Sequence, residues 1–221
     1  MNKPLVKICG LQSVEVLKSM LQFPVDYIGF VFAKSKRQVT PAQAAELVQV
    51  LDLWQQPQSP LSVGVFVNPG IEELRTVLAA VPLDAVQLHG QESAAFCREI
   101  KEKFRVQVIK AVSVSDEAEA QPLQQLQSYS ETVDALLLDT YDPLYGGGSG
   151  RTFAWDKALP YQTWARKQNI PLLVAGGLTP DNVTQLITAY EPDGVDVSSG
   201  VESGGVKDIV KIQAFVERVK G

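Results

Sequence analysis

Short apolar runs alternate along this chain with longer amphipathic ones, and the alternation predicts strands separated by helices. The apolar runs predict strands at Leu5–Cys9, Tyr27–Phe32, Ser62–Val67, Ala85–Leu88, Val106–Ala111, Ala135–Asp139, Pro171–Ala175 and Gly194–Val197. Helical spacing predicts helices at Val14–Leu21, Pro41–Leu53, Ile71–Ala80, Ser93–Lys103, Glu117–Tyr129, Lys157–Lys167, Asp181–Ala189 and Lys207–Lys220. Strands that are apolar at nearly every position are typical of a parallel sheet covered by helices.

The number of strand–helix units favours one α/β architecture over another. Eight units favour closure into a (β/α)8 TIM barrel, whereas an open doubly wound sheet is the alternative. The first strand–helix turn lacks the GxGxxG pattern of dinucleotide-binding open sheets. No linker divides the chain, so we expect residues 1–221 to form a single catalytic domain.

Composition limits the kinds of partner and the cellular compartment that we expect for this protein. Hydrophobic residues make up 45% of 221 residues, which is enough for a large core, and the net charge of −5 comes without a basic patch for nucleic acid. No apolar stretch is long enough to span a membrane. The first residues show no signal-peptide pattern and the two cysteines suggest no disulfide framework, so we expect a reduced, cytoplasmic setting.

The last two predicted strands both end in small, glycine-bearing turns. Leu172–Ala175 is followed by Gly176 and Gly177, and Gly194–Val197 is followed by Ser198, Ser199 and Gly200. In a barrel of this kind, the loops after strands seven and eight are the usual phosphate site. Backbone N–H groups that converge at such turns can hold a phosphate, so we expect Gly176, Gly177, Ser199 and Gly200 to bind one.

Two other strand ends carry groups that could move a proton. Cys9 ends the first strand and could act as a base if it were a thiolate, although a buried cysteine is more often a small apolar residue. Lys7 lies two residues earlier on the same face, so we hypothesise that it helps to keep Cys9 ionised. Asp139 ends an apolar strand and is either a general acid or a cap for the next turn. A base and an acid flanking a phosphate-anchored ligand suit the isomerisation of a phosphosugar.

The remaining polar candidates have open alternatives. Arg37 could clamp a carboxylate with its planar fork, or belong to a solvated cluster with Lys34 and Lys36. His89 has no carboxylate nearby in the sequence, which favours a structural hydrogen bond over catalysis. Asp196 is either a ligand contact or a brace for the loop that follows it. The long connection after strand six contains residues 146–150, and we expect it to be a mobile loop that closes over a ligand.

Taken together, the strand ends resemble those of the phosphoribosylanthranilate isomerase family. Six stretches carry the resemblance, in the family's order: Lys7–Gly10, Gly29–Phe32 with Ser35 and Arg37, Gln87–Gly90, Leu138–Thr140, Ala175–Leu178 and Val195–Glu202. The resemblance runs from Lys7 to Asp208. It implies a TIM barrel that carries out an Amadori rearrangement in tryptophan biosynthesis, without metal or cofactor.

The resemblance also implies the residue roles. Asp139 would protonate the furanose ring oxygen of N-(5-phosphoribosyl)anthranilate, and Cys9 would then remove the C2′ proton. Arg37 would bind the anthranilate carboxylate, and the amides around Gly176-Gly177 and Ser199-Gly200 would hold the phosphate. The partner implied is a small phosphoribosyl substrate, with no nucleic acid and no membrane. Monomer and homodimer are both compatible with a barrel of this size.

Two departures from the family's usual pattern fall in the connection after strand six. Residues 146–150 read Gly-Gly-Gly-Ser-Gly where Gly-Gly-Thr-Gly is common, and Ala154 replaces the aspartate of a common Phe-Asp-Trp. The rival readings are another phosphate-binding barrel, such as a metal-dependent epimerase, tryptophan synthase α or thiamin phosphate synthase, and a non-catalytic phosphoribosyl binder. The single histidine speaks against a His-rich metal site, and the presence of both acid and base speaks against a mere binder.

Overall fold

The computed structural model describes residues 3–114, 126–140 and 155–221, and it shows a closed barrel of eight parallel strands. Each strand pairs with the next in chain order, and β8 pairs back onto β1. The strands are β1 Leu5–Cys9, β2 Tyr27–Val31, β3 Leu61–Phe66, β4 Ala85–Leu88, β5 Gln107–Val114, β6 Ala135–Thr140, β7 Leu172–Val174 and β8 Gly194–Val197. The predicted (β/α)8 barrel is therefore confirmed.

Seven α-helices lie within the described ranges. They are α1 Val14–Ser19, α2 Pro41–Leu51, α3 Ile71–Ala80, α4 Ala94–Phe104, α5 Leu159–Gln168, α6 Val183–Tyr190 and α7 Ile209–Lys220. Side-chain caps start several of them, such as Thr40 Oγ1, which accepts from the amide of Gln43 at the start of α2. Most of the predicted helix Glu117–Tyr129, and the loop at residues 146–150, lie outside the described residues.

The final helix begins two residues later than predicted. Asp208 accepts hydrogen bonds from the amides of Val210 and Lys211 and so caps α7. The two residues before it form β10, Val206–Lys207, which pairs antiparallel with β9, Glu202–Ser203. The prediction of a helix from Lys207 was wrong because this short hairpin takes that residue into a strand. The hairpin directs Lys207 towards the loop that follows β8.

Strand register decides which side chains face the barrel axis. Paired residues of neighbouring parallel strands point to the same face, and Lys7 is paired with Asp196 while Cys9 is paired with Gly29. A small inner core of Val63, Ala85, Ile109, Ala111, Ala135, Leu137, Leu173 and Ala175 fills the barrel, and a larger core lies between strands and helices. Alternation along β1 and β6 therefore turns Lys7, Cys9 and Asp139 inward.

Within the described ranges, no helix has the length and apolar character needed to cross a membrane. The same ranges contain no group of three or more His, Cys, Asp or Glu side chains placed to hold a metal ion.

Candidate active site

The carboxyl ends of the strands surround a cavity of about 180 Å³. Its polar lining includes side chains from β1, β6 and β8 and from the loops after β2, β4 and β8: Cys9, Arg37, His89, Asp139, Asp196 and Ser198. Val31, Val65 and Val67 supply an apolar wall. The structure thus places five of the polar residues singled out in the sequence at one end of the barrel.

The thiol of Cys9 lies in a buried cluster of charges. Lys7 Nζ donates to Asp196 Oδ1 at 2.9 Å, and both residues are buried. Burial would lower the pKa of Lys7, but Asp196 and Cys9 raise it above its ordinary value, so the amine keeps its charge. Burial raises the pKa of Cys9, and Lys7 and Lys207 only partly offset that effect. Lys7 acts in the predicted direction, yet at neutral pH the thiol keeps its proton.

Room for this thiol depends on a glycine of the neighbouring strand. Gly29 lies beside Cys9 in the β1–β2 register, and a Cβ added there would lie 2.8 Å from Cys9 Sγ. That distance is well below an ordinary van der Waals contact. The Cys9 side chain therefore occupies space that only glycine leaves open.

His89 faces Asp139 across the cavity, a contact that the sequence did not predict. His89 Nε2 lies 3.4 Å from Asp139 Oδ2, beyond a good hydrogen bond. Gln87 Nε2 donates to His89 Nδ1 at 2.9 Å, so the ring proton belongs on Nε2, directed at the carboxylate. The structural hydrogen bond expected for His89 is present, and Asp139, which is distant in the sequence, comes close to the ring from another strand.

Arg37 is held in a largely buried ion-pair cluster and is not part of a solvated patch. Its Nε and Nη2 donate to the two carboxylate oxygens of Glu202, at 2.6 and 2.9 Å. Lys207 Nζ donates to the same carboxylate at 2.8 Å and to Ser198 O at 2.8 Å. Burial would raise the pKa of Glu202, but hydrogen bonds from Arg37 and Lys207 outweigh it and hold the pKa below its usual range. No motif or spacing in the sequence pointed to a role for Glu202 or Lys207.

The glycine turns after β7 and β8 line a second, smaller cavity. Gly176 and Gly177 have φ values of 86° and 62°, in the region that favours glycine. The N–H groups of both, and those of Ser199 and Gly200, donate no hydrogen bond to the described part of the chain. Asp139, Asp196 and Ser198 line this cavity as well as the first. The two cavities therefore lie side by side at the barrel mouth and share part of their lining.

A family model and a known relative that are similar to this chain carry the same description. The family model described as N-(5'phosphoribosyl)anthranilate (PRA) isomerase matches residues 6–218. An N-(5'-phosphoribosyl)anthranilate isomerase from Brevibacillus brevis is 45% identical over 215 residues, which are 97% of this chain and 93% of that protein.

Two crystal structures of such isomerases superpose closely on the barrel. Monomers of the dimeric enzyme from Thermotoga maritima are similar with a TM-score of 0.79 and 39% identity over 99% of each chain. A phosphoribosyl anthranilate isomerase in complex with reduced 1-(o-carboxyphenylamino)-1-deoxyribulose 5-phosphate is similar with a TM-score of 0.77 and 37% identity, again over 99% of each chain.

Proposed function

Because this chain belongs to the N-(5'-phosphoribosyl)anthranilate isomerase family, we propose that Cys9 and Asp139 are the base and the acid of the family's reaction. The chain is an isomerase that acts in tryptophan biosynthesis. The reaction is an Amadori rearrangement, in which N-(5-phosphoribosyl)anthranilate becomes 1-(2-carboxyphenylamino)-1-deoxyribulose 5-phosphate. It is an intramolecular oxidation and reduction, since C2′ is oxidised while C1′ is reduced.

The two adjacent cavities, which share part of their lining, support one orientation of the substrate. The N–H groups of Gly176, Gly177, Ser199 and Gly200, which donate to no residue in the described ranges, bind the phosphate. The ribose lies past Asp139 and Asp196, which line both cavities. The anthranilate ring enters the larger cavity against its valine wall, and Arg37 binds the ring's carboxylate.

Asp139 starts the reaction as a general acid. It gives a proton to the furanose ring oxygen, the C1′–O bond breaks, and the nitrogen lone pair forms the C=N bond of a Schiff base. His89 Nε2 faces the carboxylate from 3.4 Å and stabilises the carboxylate form that remains after the transfer. The inward position of Asp139 at the end of β6 is the observation that supports this role.

Cys9 completes the proton movement as a base. The thiolate removes the C2′ proton, the electrons form the C2′=C1′ bond of an enolamine, and the C=N π electrons return to nitrogen. Tautomerisation then gives the C2′ ketone and a protonated C1′. Because burial raises the pKa of Cys9, the thiolate is the minor form at neutral pH, and Lys7 and Lys207 favour it.

The wider setting belongs to the same proposal. Residues 1–221 form one catalytic domain that needs no metal or cofactor and acts in the cytoplasm. The protein acts as a monomer or homodimer on a small phosphoribosyl substrate and binds no nucleic acid. The dimeric enzyme of Thermotoga maritima is a relative with nearly the same barrel.

The convergence of Cys9, Asp139 and Arg37 on one cavity carries this proposal. The test is the loss of anthranilate-type fluorescence when purified protein meets freshly generated phosphoribosylanthranilate. Cys9→Ala and Asp139→Asn should each lower kcat by about 10²–10⁴-fold, as expected for an acid or a base. Cys97→Ala, at a buried position in α4, and Asp181→Asn, at an exposed position, are the matched controls. Wild-type kcat in either active-site variant would refute the role of that residue.

A further inference from the structure

Glu202 occupies one complete edge of the Arg37 guanidinium. The Nε and Nη2 groups of Arg37 meet the two carboxylate oxygens in parallel, at 2.6 and 2.9 Å. The Arg37 side chain is 12% exposed and that of Glu202 is 5% exposed. A bidentate pair of this kind fixes the plane of the guanidinium as well as its position.

The pairing leaves the other edge of the guanidinium available. An arginine side chain has five N–H donors, and Glu202 takes two of them. The three that remain, on Nη1 and the outer side of Nη2, donate to no residue in the described part of the chain. Arg37 lines the larger cavity whereas Glu202 does not. One edge can therefore hold Glu202 while the other receives a carboxylate from the cavity.

The backbone holds Glu202 and Arg37 in this relation from both sides. Glu202 is in β9, its carbonyl accepts from Lys211 Nζ at 2.8 Å, and its side chain also accepts from Lys207 in β10. On the other side, Arg37 passes over Gly10, where an added Cβ would lie 2.6 Å from Arg37 Cδ. Glu202 is thus tied to the hairpin, and Arg37 packs closely against the residue that follows β1.

Charge gives a further reason for the arrangement. Arg37, Lys207 and Glu202 together carry one excess positive charge in a largely buried cluster. A ligand carboxylate on the free edge of Arg37 would neutralise that excess. Without Glu202 the cluster would carry two unpaired cations, and repulsion from Lys207 would drive Arg37 towards solvent.

We propose that Glu202 is a positioning residue that presents the free edge of Arg37 to the cavity, and that it thereby gives the site its selectivity for a carboxylated aromatic substituent. This inference rests on the proposed function, because it assumes that Arg37 binds the carboxylate. Lys207 supports the position of Glu202 and does not itself line the cavity.

The test compares two ligands that differ only in the carboxylate. They are reduced 1-(o-carboxyphenylamino)-1-deoxyribulose 5-phosphate and the corresponding phenylamino compound, with Kd measured by calorimetry. Glu202→Gln should weaken binding of the carboxylated ligand by about 10-fold or more, on the scale of a charge-assisted hydrogen bond. Binding of the phenylamino ligand should change by less than about twofold, since a ligand without a carboxylate has no use for the free edge of Arg37.

A general structural defect in the Glu202 variant would give a different result, because it would weaken the binding of both ligands to the same extent. Glu72→Gln is the matched control, because it removes an arginine-paired carboxylate from the exposed surface of α3 and should alter neither Kd. If Glu202→Gln does not fold, Glu202→Asp keeps the charge but is one methylene too short for the same fork, and it should show the same selective loss. Equal effects on the two ligands, or none, would overturn the inference.

Arg37→Met separates this inference from the proposal on which it rests. If Arg37→Met weakens the binding of the carboxylated ligand alone while the Glu202 variants leave its binding unchanged, the proposed role of Glu202 is wrong and that of Arg37 stands. If Arg37→Met weakens both ligands equally, the proposed role of Arg37 fails and the inference fails with it. In the Arg37→Met background, Glu202→Gln should cause no further loss of affinity for the carboxylated ligand.

Discussion

Replacing Gly29 by alanine should move the thiol of Cys9 without removing any group that does chemistry. The new Cβ would lie 2.8 Å from Cys9 Sγ, whereas ordinary contacts begin at 3.4 Å, so the sulfur must shift by about 0.6 Å. Rotation of the thiol alone gives no relief, because Cys9 Cα and Cβ lie only 3.1 and 3.2 Å from the same added atom. The end of β1 has to move as well.

The expected losses follow from that displacement. A misplacement of 1 Å can cost about 10²-fold in rate, so a shift of this size should lower kcat by about 10-fold to 10²-fold. Over-packing should also destabilise the barrel by about 1–3 kcal/mol. For a chain of this length, each 1 kcal/mol lowers Tm by about 2–4 °C. The assay pairs the fluorescence-based kcat with thermal unfolding of the same samples.

Gly64→Ala is the control that isolates the thiol. An added Cβ at Gly64 would lie 2.6 Å from Leu83 Cδ1 and 2.8 Å from Phe66 Cε2, away from Cys9. This variant should lose a similar amount of stability while kcat stays within about threefold of wild type. If Gly29→Ala keeps full kcat, or if both variants lose kcat equally, the position of the thiol does not limit catalysis and the reasoning is refuted.

Three further changes test other parts of the site. Lys7→Met should raise the pKa of Cys9, because it removes a cation that lowers that pKa. The pKa is measured from the pH dependence of iodoacetamide reactivity in a Cys97→Ala background. An unchanged pKa would rule out the role of Lys7. His89→Gln should lower kcat by about 10-fold with little change in KM, since Asp139 loses a facing donor; unchanged kcat would refute it. Gly200→Ala would put a Cβ 1.8 Å from Leu178 O, so KM should rise by about 10-fold or more, whereas a KM like that of the open-space control Gly70→Ala would refute the phosphate site.

Most of the barrel could be predicted from the sequence, because parallel strands that are buried on both faces consist of nearly continuous runs of apolar residues. The predicted bounds of β1, β4 and β8 match the structure. Strand β5 was predicted to end at Ala111 but continues to Val114, because Ser113 and its neighbours pair with the end of β6. A polar residue within a strand end gives no local sign of that pairing.

The contents of the site were easier to predict than its internal contacts. The barrel topology alone requires that residues at the carboxyl ends of strands meet, so Cys9 and Asp139 could be assigned to one cavity. The contacts between Arg37 and Glu202, and between His89 and Asp139, join residues far apart in the sequence. No periodicity or local spacing encodes such pairs. These contacts depend on the short β9–β10 hairpin and on the order of the strands around the barrel.

Strand order is compatible with one phosphate anchor serving both of the proposed proton transfers. Going around the barrel, β7 and β8 lie between β6, which carries Asp139, and β1, which carries Cys9. The turns proposed to bind the phosphate follow β7 and β8, so they lie between the proposed acid and the proposed base. A ligand held there by its phosphate would extend across the mouth with one side of its sugar towards each group. In that arrangement phosphate binding would contribute to the rate as well as to affinity, because it would set the distance for both transfers.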